Sequence, residues 1–150
     1  SCWISHLPAE NEYTREVGLG MNKEELERNS QLDDYVIQDL NGNPVLPFED
    51  NTFSGAAICV SIDYLTRPVD VLQDLGRVMT SGAPLVITFS NRCFPTKAIA
   101  VWQRLDDRGH VDLVERFLLE AGHWTEIQKL DRSPVPGVSD PLYAVVSRCI

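Results

Sequence analysis

Two short polar clusters follow apolar runs in this sequence: Ser61, Asp63 and Tyr64 after AAICV, and Ser90, Asn91 and Arg92 after PLVITF. A carboxylate such as Asp63 can take a proton from a nucleophile, and the Tyr64 phenol can donate a hydrogen bond or serve as a wall. The planar guanidinium of Arg92, with Asn91 beside it, can hold a carboxylate or phosphate, and Lys97 can add to such an anion site. The same residues have plainer uses. Asp63 can cap the turn before a helix opened by Pro68, Arg92 can form a surface ion pair, and Lys97 can face solvent. Residue type alone leaves both uses open.

Other reactive side chains are scattered. His6, His110 and His123 match no zinc spacing, so no metal site is expected. His110 and His123 stand at element boundaries and read as capping or surface residues. Cys2 with His6, and Cys93 beside Arg92, each lack a third residue to orient a thiolate nucleophile. Trp102 and Trp124 fit core faces.

The elements that must position these groups centre on residues 36–91, where two apolar strands are separated by one amphipathic helix. That is the unit of a parallel α/β sheet, in which ligands collect beyond the carboxyl ends of the strands. Before it, residues 12–20 end in a short strand stopped by Gly20. Asn22 then caps a helix with Glu24 and Glu25 in its first turn and Arg28 in its last. Residues 34–40 form a second strand, and a turn-rich loop follows in which Phe48 and Phe53 clamp the chain to the core. Residues 56–62 read as a central buried strand.

Pro68 opens a helix with Val71, Leu72, Leu75, Val78 and Met79 on its apolar face and Gln73, Asp74 and Arg77 toward water. Gly76 inside it implies close packing against the sheet. Residues 84–90 form the next buried strand. Helical spacing predicts one helix over 95–105 and another over 111–121, separated by Gly109. Residues 124–130 and 142–147 are the last strands, and the turn-rich loop between them predicts an antiparallel hairpin closing an otherwise parallel sheet of about six strands, with helices on both faces.

At 150 residues the chain reads as a single domain able to bury about 70% of its unfolded surface. A net charge of -9 with 13 scattered basic residues argues against nucleic acid or an anionic membrane as partner. Cys2, Cys59, Cys93 and Cys149 form no dense framework, which predicts reduced thiols in an intracellular, cytoplasmic protein. No apolar run approaches the roughly 20 residues of a membrane span. The opening Ser-Cys-Trp-Ile suggests a fragment or a processed chain.

The order of these elements, with LPFEDNTF, then SIDYL, then LGRVMTSGAPLVITFSN, resembles the class I S-adenosylmethionine-dependent methyltransferases of the type 11 group. The resemblance covers roughly residues 14–92 and more loosely the tail. FSNRCFPTKAIAVW and SDPLYAVV resemble a methyltransferase-like set from algae and cyanobacteria. The resemblance implies a Rossmann-like methyltransferase sheet, S-adenosylmethionine as cofactor and a small molecule as methyl acceptor. It implies donor contacts at Ser1 and Cys2, at Gly20 and Met21, at Asp39 and Leu40, which correspond to the adenine contact, and at Ser61. It assigns catalysis to Asp63 and Tyr64 and the acceptor to Asn91 and Arg92.

Departures from the family pattern support a second expectation. The family's first strand and glycine-rich loop precede the position of residue 12, where this chain reads SCWISHLP. The acid that binds the ribose hydroxyls in the family corresponds to Gly20. The KPGG turn is TSGA, and the SFD acid falls at Ser54-Gly55. These changes favour a methyltransferase-like binding or scaffold module without catalysis, while Asp39 and the polar strand ends favour a catalyst. A missing first strand would also leave a central gap between the strands ending at Gly20 and Ile62, an exposed edge through which a homodimer can form.

Overall fold

The computed structural model describes residues 7–8 and 12–150, so the expectations for Ser1, Cys2 and His6 lie outside the described residues. The chain divides into two compact units, Ser1–Asn43 and Pro44–Ile150.

In the first unit, β1 (Val17–Gly20) and β2 (Asp34–Ile37) form a parallel pair in which Val17 opposes Asp34 and Gly20 opposes Ile37. Between them lies α1 (Lys23–Arg28), which starts where the Asn22 side chain accepts the Glu24 and Glu25 N–H groups. Ion pairs Lys23–Glu27 and Glu24–Arg28 run along its surface, while Leu26 is buried. A Cβ at Gly18 would meet the side-chain tips of Leu32 and Leu26, which would have to shift.

The second unit carries a four-stranded sheet in the order β3 (Ala56–Cys59), β4 (Pro84–Phe89), β6 (Tyr143–Cys149), β5 (Trp124–Asp131). β3 and β4 are parallel, and β6 runs against both β4 and β5, so three strands share one direction and the C-terminal antiparallel pair closes the sheet. The expected α/β architecture is therefore present. β3 ends earlier than its apolar run, because Val60 turns into the left-handed region with φ 43°. A 3-10 turn, Ile62–Tyr64, follows.

Two helices pack against each other: α2 (Pro68–Val78), with Pro68 at its first position, and α3 (Asp107–Ala121), which also lies against β5 and β6 and is ended by Gly122 at φ 77°. Gly76 of α2 is tight against the His123 side chain, and its carbonyl accepts the Cys149 thiol of β6 at 3.4 Å. Arg77 does not simply face water. It donates to Asp74, to Asp50 and to the carbonyls of Leu46 and Phe48, which fastens the loop whose Phe48 and Phe53 rings meet edge to face at 4.8 Å.

Two expectations for the segment after β4 change. Residues 95–105 form turns and a short 3-10 stretch, Trp102–Arg104, instead of an α-helix. Their backbone groups are satisfied from elsewhere: the Gln103 amide donates to the Pro95 and Ala98 carbonyls at 2.9 and 2.8 Å, and the Ile99 N–H bonds to the Asp63 carbonyl at 2.9 Å. Gly109 separates nothing. It lies inside α3, because the Asp106 side chain accepts its N–H at 2.8 Å and sets the helix start ahead of it. The core gathers around Phe89, Trp102, Leu72, Leu118 and Val145, with Phe89 edge-on to Trp102 at 5.2 Å.

Candidate functional site

Because β1 and β2 are parallel, their carboxyl ends lie on one edge, and that edge carries Gly20, Met21, Asp39 and Leu40. Met21 and Asp39 are exposed and Leu40 is half-buried. The Gln38 N–H donates to the Gly20 carbonyl at 2.9 Å, extending the ladder by one step. Asp39 makes a tight Asx turn: its Oδ1 accepts the Asn41 N–H at 2.9 Å, and its carbonyl accepts the N–H groups of Gly42 and Asn43. The Leu40 N–H, inside that turn, has no hydrogen-bond partner among the described residues.

In the second unit, Ser61, Asp63 and Tyr64 follow the carboxyl end of β3. Ser61 is the residue before the 3-10 turn and makes no side-chain cap. Asp63 is only 4% exposed. Burial pushes its carboxyl above the ordinary range, against the opposing effects of its own backbone N–H, a hydrogen bond from Tyr64 and the nearby His110 ring. The Tyr64 hydroxyl also accepts the Phe94 N–H at 3.1 Å, so this phenol is fixed between a backbone donor and a carboxylate. Burial is likewise the main reason that the Tyr64 hydroxyl is harder to ionise than usual.

Beyond the end of β4, Asn91, Cys93, Trp102, Gln103, Asp107 and His110 line an open cleft of about 340 Å³. Asn91 reaches this cleft. Arg92 is absent from its lining and forms an exposed ion pair with Asp140 at 2.8 Å, the plainer of its two expected uses. Lys97 sits over the Phe94 ring, 5.5 Å from its centre. Thus the fold brings Asn91 to a concave surface and leaves Arg92 on an outer one.

Two of the cleft residues, Trp102 and His110, were expected on a core face and at an element boundary instead. His110, 5% exposed, stacks on Trp102 with ring centres 4.1 Å apart and planes 8° from parallel. Its Nε2 lies 2.8 Å from the Trp102 carbonyl. A carbonyl only accepts, so Nε2 carries the proton and Nδ1 is the acceptor in the neutral ring. Nδ1 and the Trp102 Nε1–H are both buried without a hydrogen-bond partner. A signal for the histidine's burial exists in the sequence: His110 precedes Val114, Phe117, Leu118 and Ala121 at helical spacing and falls on the buried stripe of α3. Nothing in the spacing marks the stack with Trp102.

Among the described residues, no three His, Cys, Asp or Glu side chains gather as a metal site, and no helix is long and apolar enough to cross a membrane.

The structure is similar to several solved structures. They include the [4+2]-cyclase SpnF, with a TM-score of 0.64 at 14% identity over 90% of this chain and 66% of that one. An S-adenosylmethionine-dependent methyltransferase from Aquifex aeolicus gives 0.59 at 15% identity over 91% and 69%, respectively. Another from Mesorhizobium loti gives 0.63 at 14% identity over 89% and 80%. The chain spans about two thirds of the length of the first of these. No family model matches the sequence, and no curated protein matches it. At these identities the likeness establishes the fold, which is that of the class I S-adenosylmethionine-dependent methyltransferases.

Proposed function

We propose that the chain is an S-adenosylmethionine-dependent methyltransferase acting on a small molecule. The observation that carries this reading is the exposed Asp39 carboxylate next to an unpartnered Leu40 N–H at the carboxyl edge of β1 and β2. An adenine presents the complement of that pair, an amino donor beside a ring-nitrogen acceptor. Gly20 and Met21 offer backbone on the same edge. When bound, S-adenosylmethionine supplies an electrophilic methyl group.

The chain's own residues supply the rest. Asp63, its carboxyl raised above the ordinary range by burial, accepts the proton of the acceptor's nucleophilic atom, and Tyr64 holds that carboxylate in place. Ser61 adds a hydroxyl at the end of β3. Asn91 contacts the acceptor from the cleft, and Arg92 is available to an anionic acceptor group only in exchange for Asp140. Isothermal titration with S-adenosylmethionine and S-adenosylhomocysteine tests the reading. Saturable heat is expected, and Asp39→Ala should weaken it by about tenfold or more. A folded protein giving no heat at millimolar ligand overturns the proposal.

A second reading is favoured by Gly20. That position corresponds to the ribose-binding acid of the methyltransferases, and glycine has no carboxylate to offer. The fold itself does not select a reaction. On this reading the domain is a binding or scaffold module. Ligand heat without S-adenosylhomocysteine formation over a panel of small nucleophiles would favour it. In either case we propose that a homodimer forms at the edge of β3, which pairs only with β4 among the described strands. Light scattering that reports only monomer removes the homodimer.

A further inference from the structure

The cleft beside β4 has a one-sided chemistry. Gln103 spends both amide hydrogens on the Pro95 and Ala98 carbonyls, which leaves its Oε1 as the acceptor end. Asp107, the first residue of α3, accepts the Tyr143 hydroxyl on Oδ2 at 2.9 Å and keeps Oδ1. His110 holds an unpaired acceptor at Nδ1. No Lys or Arg lines the cleft: Arg92 is engaged by Asp140 and Lys97 lies over Phe94. Against these acceptors stand neutral donors alone, the buried Trp102 indole N–H and the Asn91 carboxamide.

We propose that this cleft binds a small organic amine, held as an ammonium against Asp107 and beside the stacked rings of Trp102 and His110. An ammonium brings several N–H donors and a positive charge to a lining of acceptors and one carboxylate, on a chain whose net charge is -9. Anionic ligands meet a lining with no cation to receive them. Nearly all buried polar atoms in folded proteins are paired. Two orphans on adjacent buried rings therefore mark the wall of this cleft as a place where the chain's own hydrogen bonding is incomplete. The volume, about 340 Å³, suits a ligand of one ring and a short arm. The proposal deepens the methyltransferase reading by naming the acceptor class. It rests on that reading only for the fate of the amine, and binding is measured without any methyl donor.

The test follows the Trp102 indole N–H resonance by two-dimensional NMR as benzylamine, benzyl alcohol or benzoate is added to the unmodified protein. Benzylamine should shift it saturably in the millimolar range, while benzoate leaves it unmoved and benzyl alcohol binds more weakly. Asp107→Asn should weaken benzylamine by about tenfold. Tyr143→Phe, which removes the hydroxyl but keeps the carboxylate, should retain binding and so separates loss of charge from loss of that hydrogen bond. Benzylamine without effect, equal binding of benzoate or benzyl alcohol, or full binding by Asp107→Asn overturns the proposal. The ligand series needs no variant to fold. Amine binding without S-adenosylmethionine heat would sink only the methyl-transfer reading, and the reverse result would sink only this one.

Discussion

β1–β2 and β3–β4 are parallel ladders of four residue pairs each, and each is followed on its carboxyl side by an aspartate with chemistry to offer. Their support differs. Among the described residues of the first unit, Leu26 is the only fully buried apolar side chain, whereas the second ladder belongs to a sheet whose core includes Phe89, Trp102, Leu72, Leu118 and Val145. A two-stranded pair with so little core is marginal by itself and draws its local stability from the low end of the range. The consequence reaches the aspartates. Asp39 stays exposed and shapes its own turn, while Asp63 is buried enough for its carboxyl to be pushed up. One ladder offers an accessible edge for recognition, and the other offers an environment that tunes a proton.

The largest expected effects test that division. Phe89→Ala removes a ring packed between those of Trp102 and Tyr143 and should cost about 3–5 kcal/mol, read as a lower midpoint of thermal unfolding. Leu26→Ala removes a side chain that is equally buried, by a rule of about 2–5 kcal/mol, but its loss should be local. Hydrogen exchange should speed up at the β1–β2 amides in Leu26→Ala and remain slow at β4. Equal acceleration in both ladders would mean that the two regions open as one, and the contrast drawn above would fail.

The contrast was only partly legible in the sequence. All six strands were, most as short apolar stretches bounded by turn residues and Trp124–Asp131 by its alternation, and so was the cap of α1 at Asn22. The helix expected over 95–105 was not formed, because a side-chain amide from Gln103 and the carbonyl of Asp63 supply partners that a helical ladder would otherwise supply. Both aspartates read alike as turn residues. Their different surroundings depend on Ile99, whose N–H meets the Asp63 carbonyl, and on His110 near the carboxyl, both from distant stretches of chain. The ion pair that occupies Arg92 joins residues 48 positions apart, beyond the reach of any local pattern.

The next effect is one of pH. A carboxyl raised in the folded state binds its proton more tightly there than in the unfolded chain. Stability is therefore fully present below the unfolded value and is lost as pH rises toward the folded one. Asp63→Asn has no proton to lose. As pH rises above the ordinary carboxylate range its thermal midpoint should improve relative to the parent protein, by about 1.4 kcal/mol for each unit by which the Asp63 value is raised. A difference that stays constant as pH rises would mean that Asp63 is not perturbed by burial, and its assignment as the proton acceptor would lose its support.

The smallest effect concerns how each ladder ends. β1 ends in Gly20, whose backbone is not left-handed, so the glycine answers no conformational demand there. Just past β3 the situation is inverted: Val60, a β-branched residue, sits at φ 43° while its N–H stays bonded to the Thr88 carbonyl at 2.8 Å. Such a conformation costs about 1–3 kcal/mol and persists only where its surroundings enforce it. Val60→Gly removes the strain and adds about 0.5–1 kcal/mol of backbone entropy cost, and since the side chain is 40% exposed little packing is lost. A net gain of about 1 kcal/mol is expected in thermal unfolding. If the glycine instead loosens the turn that holds Asp63 and Tyr64, the Asp63 pH dependence should shrink in Val60→Gly even as the midpoint rises. Strain at Val60 would then be part of how the second ladder presents its carboxylate, a device that the first ladder, with its exposed Asp39, does without.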